Sequence, residues 1–161
     1  MTGYSQKARE LFEQGYSCAQ SVFAAFAGEV GMDFETALKL SSSFGGGMGR
    51  LREVCGAVTA MFMIAGLKRG YTAPNDDEVK AEHYEFIQSL AFRFKEQNGS
   101  IICRDLLGLP DGADDPTPEK RSAAYYQARP CSGLVECAAG MIETYILNNL
   151  MEDKNENCSS K

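Results

Sequence analysis

No segment of this chain alternates apolar and polar residues over a strand's length, so a fold built from helices alone is expected. Apolar residues recur instead at helical spacing. Ala8, Leu11 and Phe12 share one face of a segment over residues 5–14, and Cys18, Val22 and Phe26 follow at intervals of four. Glycine and proline divide the rest. The reading is an all-α, single-domain helical bundle of about six to eight helices over residues 1–151, with a flexible tail over 152–161. At 161 residues the chain fits one domain with its own core.

The segments follow from their caps. Gly15 stops the first helix; Ser17 caps a second running to about residue 30, and Asp33 a third over 34–43. Phe44-Gly45-Gly46-Gly47-Met48-Gly49 is read as an irregular turn, because each glycine in a helix costs about 1 kcal/mol. A fourth helix over 52–67 is apolar on nearly every face and is expected at the centre. Asn75 caps a fifth running to about 97, and a brief helix spans 100–107. An acidic loop covers 110–116. Thr117-Pro118-Glu119 starts a helix to about 128, and Pro130 opens the last one, to about 151.

Charge narrows the function classes. Sixteen Lys and Arg against twenty-two Asp and Glu leave a net charge of −6, with no dense basic run. Nucleic acid and anionic lipid are therefore not expected partners. The longest apolar stretch, 54–67, falls short of the ~20 residues that span a bilayer, and the first residues lack a secretory signal's apolar core. A cytoplasmic location is expected. In that reducing setting, six cysteines point to metal binding or redox chemistry rather than to a disulfide framework.

Their positions sharpen this. Cys18, Cys55, Cys103 and Cys131 each fall in the first turn of a different expected helix. A helix start offers unpaired N–H groups and about half a positive elementary charge. Both favour thiolate, so these thiols are expected below the free value of about 8.5. Thiolates ligate metals, hold iron–sulfur clusters and attack disulfides. Cys-x-x-Cys is missing, which argues against a thioredoxin-type site, an ordinary zinc ribbon and attached haem. Cys137, six residues after Cys131, faces elsewhere on a helix, and Cys158 sits in the tail; no role is assigned to either.

Other residues carry weaker signals. The Gly45–Gly49 glycines could form an anion-binding nest, but a tight turn beside Cys55 is preferred. His83, the single histidine, reads as a packing or surface residue. Asp111, Asp114 and Asp115 lack EF-hand spacing and read as a solvated loop. Met48, Met61, Met63 and Met141 read as core or interface filler. Arg50 and Arg52 could influence a thiolate near Cys55, although solvated arginines are the simpler expectation.

Four segments together carry a resemblance. Gly15-Tyr16-Ser17-Cys18-Ala19-Gln20-Ser21-Val22 comes first, then Phe44–Gly49 leading into Glu53-Val54-Cys55-Gly56-Ala57-Val58-Thr59. Cys103-Arg104-Asp105-Leu106-Leu107-Gly108 and Arg129-Pro130-Cys131-Ser132-Gly133-Leu134-Val135 follow. In this order they resemble the C-GCAxxG-C-C family of redox-active proteins, from about Ala8 to Leu150. The family's four cysteines fall on Cys18, Cys55, Cys103 and Cys131. The chain departs from the motif at Val54, where the pattern has glycine, and at Gly56, where it has alanine; Ala60 occupies a later small-residue position. The resemblance implies a redox role, and its association with electron-transfer modules implies an iron–sulfur cluster.

The leading expectation is thus an electron-transfer or redox protein, an oxidoreductase if it is an enzyme. Its four cysteines ligate a metal centre, foremost a 2Fe–2S cluster, or act as dithiol/disulfide couples with a redox partner protein. The alternative is a structural or interaction protein, either with zinc (Zn) held by the same four cysteines or with inert buried thiols. The apolar fourth and last helices raise a homodimer as a further hypothesis.

Overall fold

The structure is a computed structural model that describes the backbone of residues 3–158 and side chains through residue 149. The side chains of the tail expected over 152–161, Cys158 included, lie outside the described residues. Within that range the regular structure is helical: α1 Tyr4–Glu13, α2 Cys18–Ala25, α3 Phe34–Ser41, α4 Gly56–Arg69, α5 Asp77–Asn98, α6 Cys103–Leu107, α7 Ala123–Ala128 and α8 Cys131–Cys158. A 3-10 turn (Ser42–Phe44) and a one-turn segment (Gly45–Met48) join α3 to the stretch before α4. The described residues contain one isolated β-bridge, Val54 with Ile102, and no strand. Among them no helix is long and apolar enough to cross a membrane.

Local chemistry explains most boundaries. Ser17 and Gln20 form a reciprocal capping box at the start of α2, and the Asp33 side chain accepts from Thr36 N at 2.9 Å to start α3. Gly15 and Gly99, at φ 106 and 94, end α1 and α5 in the left-handed region.

Other boundaries differ from expectation for identifiable reasons. α2 stops at Ala25, and a run of turns carries the chain to Gly31, at φ 71. α4 starts at Gly56 rather than 52, because Arg52 is left-handed at φ 60 and Val54 is in the bridge. Asp76, not Asn75, caps α5, its carboxylate accepting from Val79 N at 3.1 Å. Ser100 Oγ accepts from Ile102 N at 3.0 Å, and helix begins only at Cys103. Thr117 N donates to Asp115 Oδ1 at 2.8 Å in a local turn, so Pro118 starts no helix; Ser122 caps α7 instead. α8 continues to Cys158 rather than ending near residue 151.

α1, α2, α4 and α8 pack together around the core, with α3 against α2 and α5 outside α4 and α8. Phe12, Phe23 and Phe26 meet Val58, Met61 and Ile64 of α4 and Val135 and Ile142 of α8, all at most 2% exposed. Fully burying each such side chain contributes about 1.5–3 kcal/mol. α5 turns only Leu90 and Phe94 fully inward, and Phe92 remains exposed. This packing brings the N-termini of α2, α4, α6 and α8 to one end of the bundle, where their cysteines line a single cavity.

Candidate functional site

Cys18, Cys103 and Cys131 are the first residues of α2, α6 and α8, and Cys55 is the N-cap of α4. Backbone hydrogen bonds fix two of them directly. Cys55 N donates to Ile101 O at 2.8 Å, and Cys103 N donates to Glu53 O at 2.7 Å, on either side of the Val54–Ile102 bridge. Ladder geometry, not side-chain packing, therefore sets the approach of these two segments.

The glycine segment makes the remaining approach possible. Gly46, Gly47, Met48, Gly49 and Arg50 all have φ between 63 and 68, so five successive residues turn in the left-handed sense. L-residues pay roughly 1–2 kcal/mol each for this conformation, which is why glycine dominates here. A β-carbon on Gly47 would meet Cys103 Cβ at 2.6 Å, and one on Gly45 would meet Ser17 Cβ at 2.7 Å. The segment is thus wedged between the starts of α2 and α6.

The four cysteines line one cavity of about 70 Å³, together with Arg52, Arg121, Arg129 and Tyr125. Residues that the sequence spreads from 18 to 131 meet there. The four helix ends converge, and none of the four cysteines lies elsewhere. Cys55 and Cys103 are 5% and 8% exposed, Cys18 and Cys131 half-buried, and all four are free thiols.

Electrostatics at the cavity correct one expectation. Burial pushes the Cys18 and Cys55 thiols up and raises Cys131 to about 11. N–H groups of Gly46, Ala19 and Gly56 at Cys18, and of Ala57 and Val58 at Cys55, pull the other way without overcoming it. Neighbouring cysteines add to the rise. Helix starts do supply donors, but desolvation of closely grouped sulfurs outweighs them. In the free protein these three groups are thiols at neutral pH.

Arg52 is also corrected. It is 3% exposed, with Nη1 donating to Cys103 Sγ at 3.5 Å and Nε to Asp114 Oδ2 at 2.8 Å. Two further cations to which the sequence assigned no role, Arg121 and Arg129, line the cavity. Arg121 donates to Phe12 O at 3.1 Å and Tyr16 O at 3.0 Å, and its guanidinium lies 4.3 Å from the Phe12 ring centroid. Arg129 stacks over Tyr125 at 5.0 Å.

The remaining candidates lie apart. Cys137 bonds with Asn98 and Gln97 in a separate groove. His83 packs edge-on against Tyr71, 5.8 Å between centroids. Met61 and Met141 are buried in the core, and Asp114 answers Arg50 and Arg52 rather than forming a cation site.

Among the described residues no three His, Cys, Asp or Glu side chains gather closely enough to hold one metal ion. A tetrahedral ion needs every sulfur about 2.3 Å from a single point.

The sequence pattern of the family described as "Putative redox-active protein (C_GCAxxG_C_C)" matches residues 16–145. The chain belongs to this family. The matched span holds all four cavity cysteines of this C_GCAxxG_C_C protein. No curated protein and no solved structure matches the chain.

Proposed function

We propose that this C_GCAxxG_C_C protein is an electron-transfer protein whose Cys18, Cys55, Cys103 and Cys131 hold an iron–sulfur cluster, foremost 2Fe–2S. One observation carries the reading: four cysteines from four helix starts line a single cavity of about 70 Å³. On loading, the metal would displace the thiol protons, which are released to solvent. The cluster supplies a one-electron couple. The chain supplies ligands, backbone donors to sulfur, the Arg52 guanidinium beside Cys103 and a shell from which water is largely excluded. A redox partner protein in the cytoplasm would donate or accept the electron. In a homodimer formed through the fourth and last helices, exposed Leu67 and Leu147 would belong to the interface.

Anaerobic reconstitution with iron and sulfide tests this. The expected result is charge-transfer absorption in the visible range, about two irons per chain and loss of the four reactive thiols. No absorption, with all six thiols of the chain still titratable, overturns the cluster. If oxidation then removes thiols in pairs, releasing two electrons and two protons per pair, the cysteines are dithiol/disulfide couples. Stoichiometric zinc without redox response indicates the structural alternative.

A further inference from the structure

A second chamber of about 290 Å³ adjoins the cysteine cavity and shares Ser17, Gly46, Arg52, Arg121, Tyr125 and Arg129 with it. Arg50 lines the outer chamber only. Four guanidinium groups therefore face one space, in a chain whose net charge is −6. Three carboxylates lie near them. Asp114 pairs with Arg50 and Arg52, Glu119 with Arg129, and Asp115 lies close enough to feel Arg50. Four positive charges against three negative leave an excess of one. Arg121 forms no ion pair among the described residues, its guanidinium being held by carbonyls and aromatic rings.

Arg52 supplies the second observation. Its side chain is 3% exposed, and a single carboxylate oxygen, Asp114 Oδ2, lies 2.7 Å from its Nη2 and 2.8 Å from its Nε. A guanidinium carries five N–H donors, and those of Arg52 meet only one carboxylate oxygen and the Cys103 sulfur, so donor capacity remains on the chamber wall. The left-handed run over residues 46–50 strengthens the case. It ends on Arg50, and Arg52, two residues on, is left-handed as well; both stand beside the same chamber, and strain of this kind concentrates at ligand sites.

The geometry points to an oxyanion-binding site in the outer chamber, taking a small molecule that carries a carboxylate or phosphate group. Arg50 and Arg52 supply the fork that recognises it, and Arg121 and Arg129 supply further positive charge. The site is built from arginines of the outer chamber and does not depend on what the cysteines hold.

The test is calorimetric titration of the full-length, cluster-free protein with inorganic phosphate and, separately, malonate, against sodium chloride at matched ionic strength. Saturable binding of at least one probe is expected, and which one binds separates phosphate from carboxylate chemistry. Arg50→Gln should weaken it about tenfold, the value of one charge-assisted contact. Arg50→Lys, which keeps the charge and guards against a folding defect, should retain part of that affinity. Arg93→Gln removes an equal charge from a different groove and should change nothing. No saturable binding, or equal weakening by Arg50→Gln and Arg93→Gln, overturns the site. Iron loading of the same samples is read separately, so loss of anion binding and loss of the cluster are distinguishable.

Discussion

Gly56 lies directly against Cys18: a β-carbon there would sit 2.6 Å from Cys18 Sγ and 2.6 Å from the Phe44 carbonyl oxygen. Gly56 opens α4, so the obstacle to a side chain is space rather than backbone conformation. Gly56→Ala should destabilise the fold by about 1–3 kcal/mol, as overpacking does, and reduce iron loading. Gly66→Ala, in the same helix with open space around it, should be neutral or stabilising by up to about 1 kcal/mol. Urea unfolding of both variants checks the contrast.

Met48 turns at φ 67 inside the left-handed run, where a side chain carries a cost of about 1–2 kcal/mol. Met48→Gly should relieve it, offset in part by the freer unfolded chain. The net expectation is unchanged or slightly raised stability at a position where glycine usually weakens a fold. Thermal unfolding with a higher midpoint or an unchanged one agrees; a fall of several degrees does not.

The cavity thiols set an alkaline limit. Cys131 is raised to about 11, so its neutral form belongs to the folded state. That contribution is fully present below the unfolded thiol value of about 8.5 and is lost as pH climbs through about 11. Stability of the cluster-free protein should fall over this window, less steeply in Cys131→Ala. Alkylation of Cys131 at pH 8 should be slower than that of a small-molecule thiol.

Asp114 sets the acid side. The hydrogen bond from Arg52 holds its carboxyl below the ordinary carboxylate range. The stabilisation is present above about pH 3.9, the unfolded value, and disappears as pH falls through the lower folded value. Asp114→Asn should lower stability at neutral pH and flatten its decline in acid, as denaturant midpoints across pH would record.

The sequence was most legible where a signal and its response lie within one turn. Ser17 and Asp33 cap the helices that follow them, and Gly15 and Gly99 stop those before them. The placing of Cys18, Cys103 and Cys131 in opening turns follows from such signals, and the resemblance located the same residues. Distant partners were not legible. Arg52 looked solvated because Asp114 stands 62 residues away, in a loop with no periodicity to betray its contact. Arg121 is anchored by carbonyls of Phe12 and Tyr16, more than 100 residues earlier. The direction of the thiol shifts failed for a related reason. Helix starts are visible in a sequence, but the desolvation of Cys18, Cys55 and Cys131 beside one cavity exists only after folding.

The bridge between Val54 and Ile102 gives the cavity walls unequal stiffness. Cys55 and Cys103 hang from two segments whose peptide groups bond to one another, and they form a fixed jaw. Cys18 and Cys131 ride on helices held by side-chain packing, which yields by small sliding displacements. A change in the size of the cavity would therefore fall on the movable pair, and would travel along α2 and α8 into the centre of the bundle.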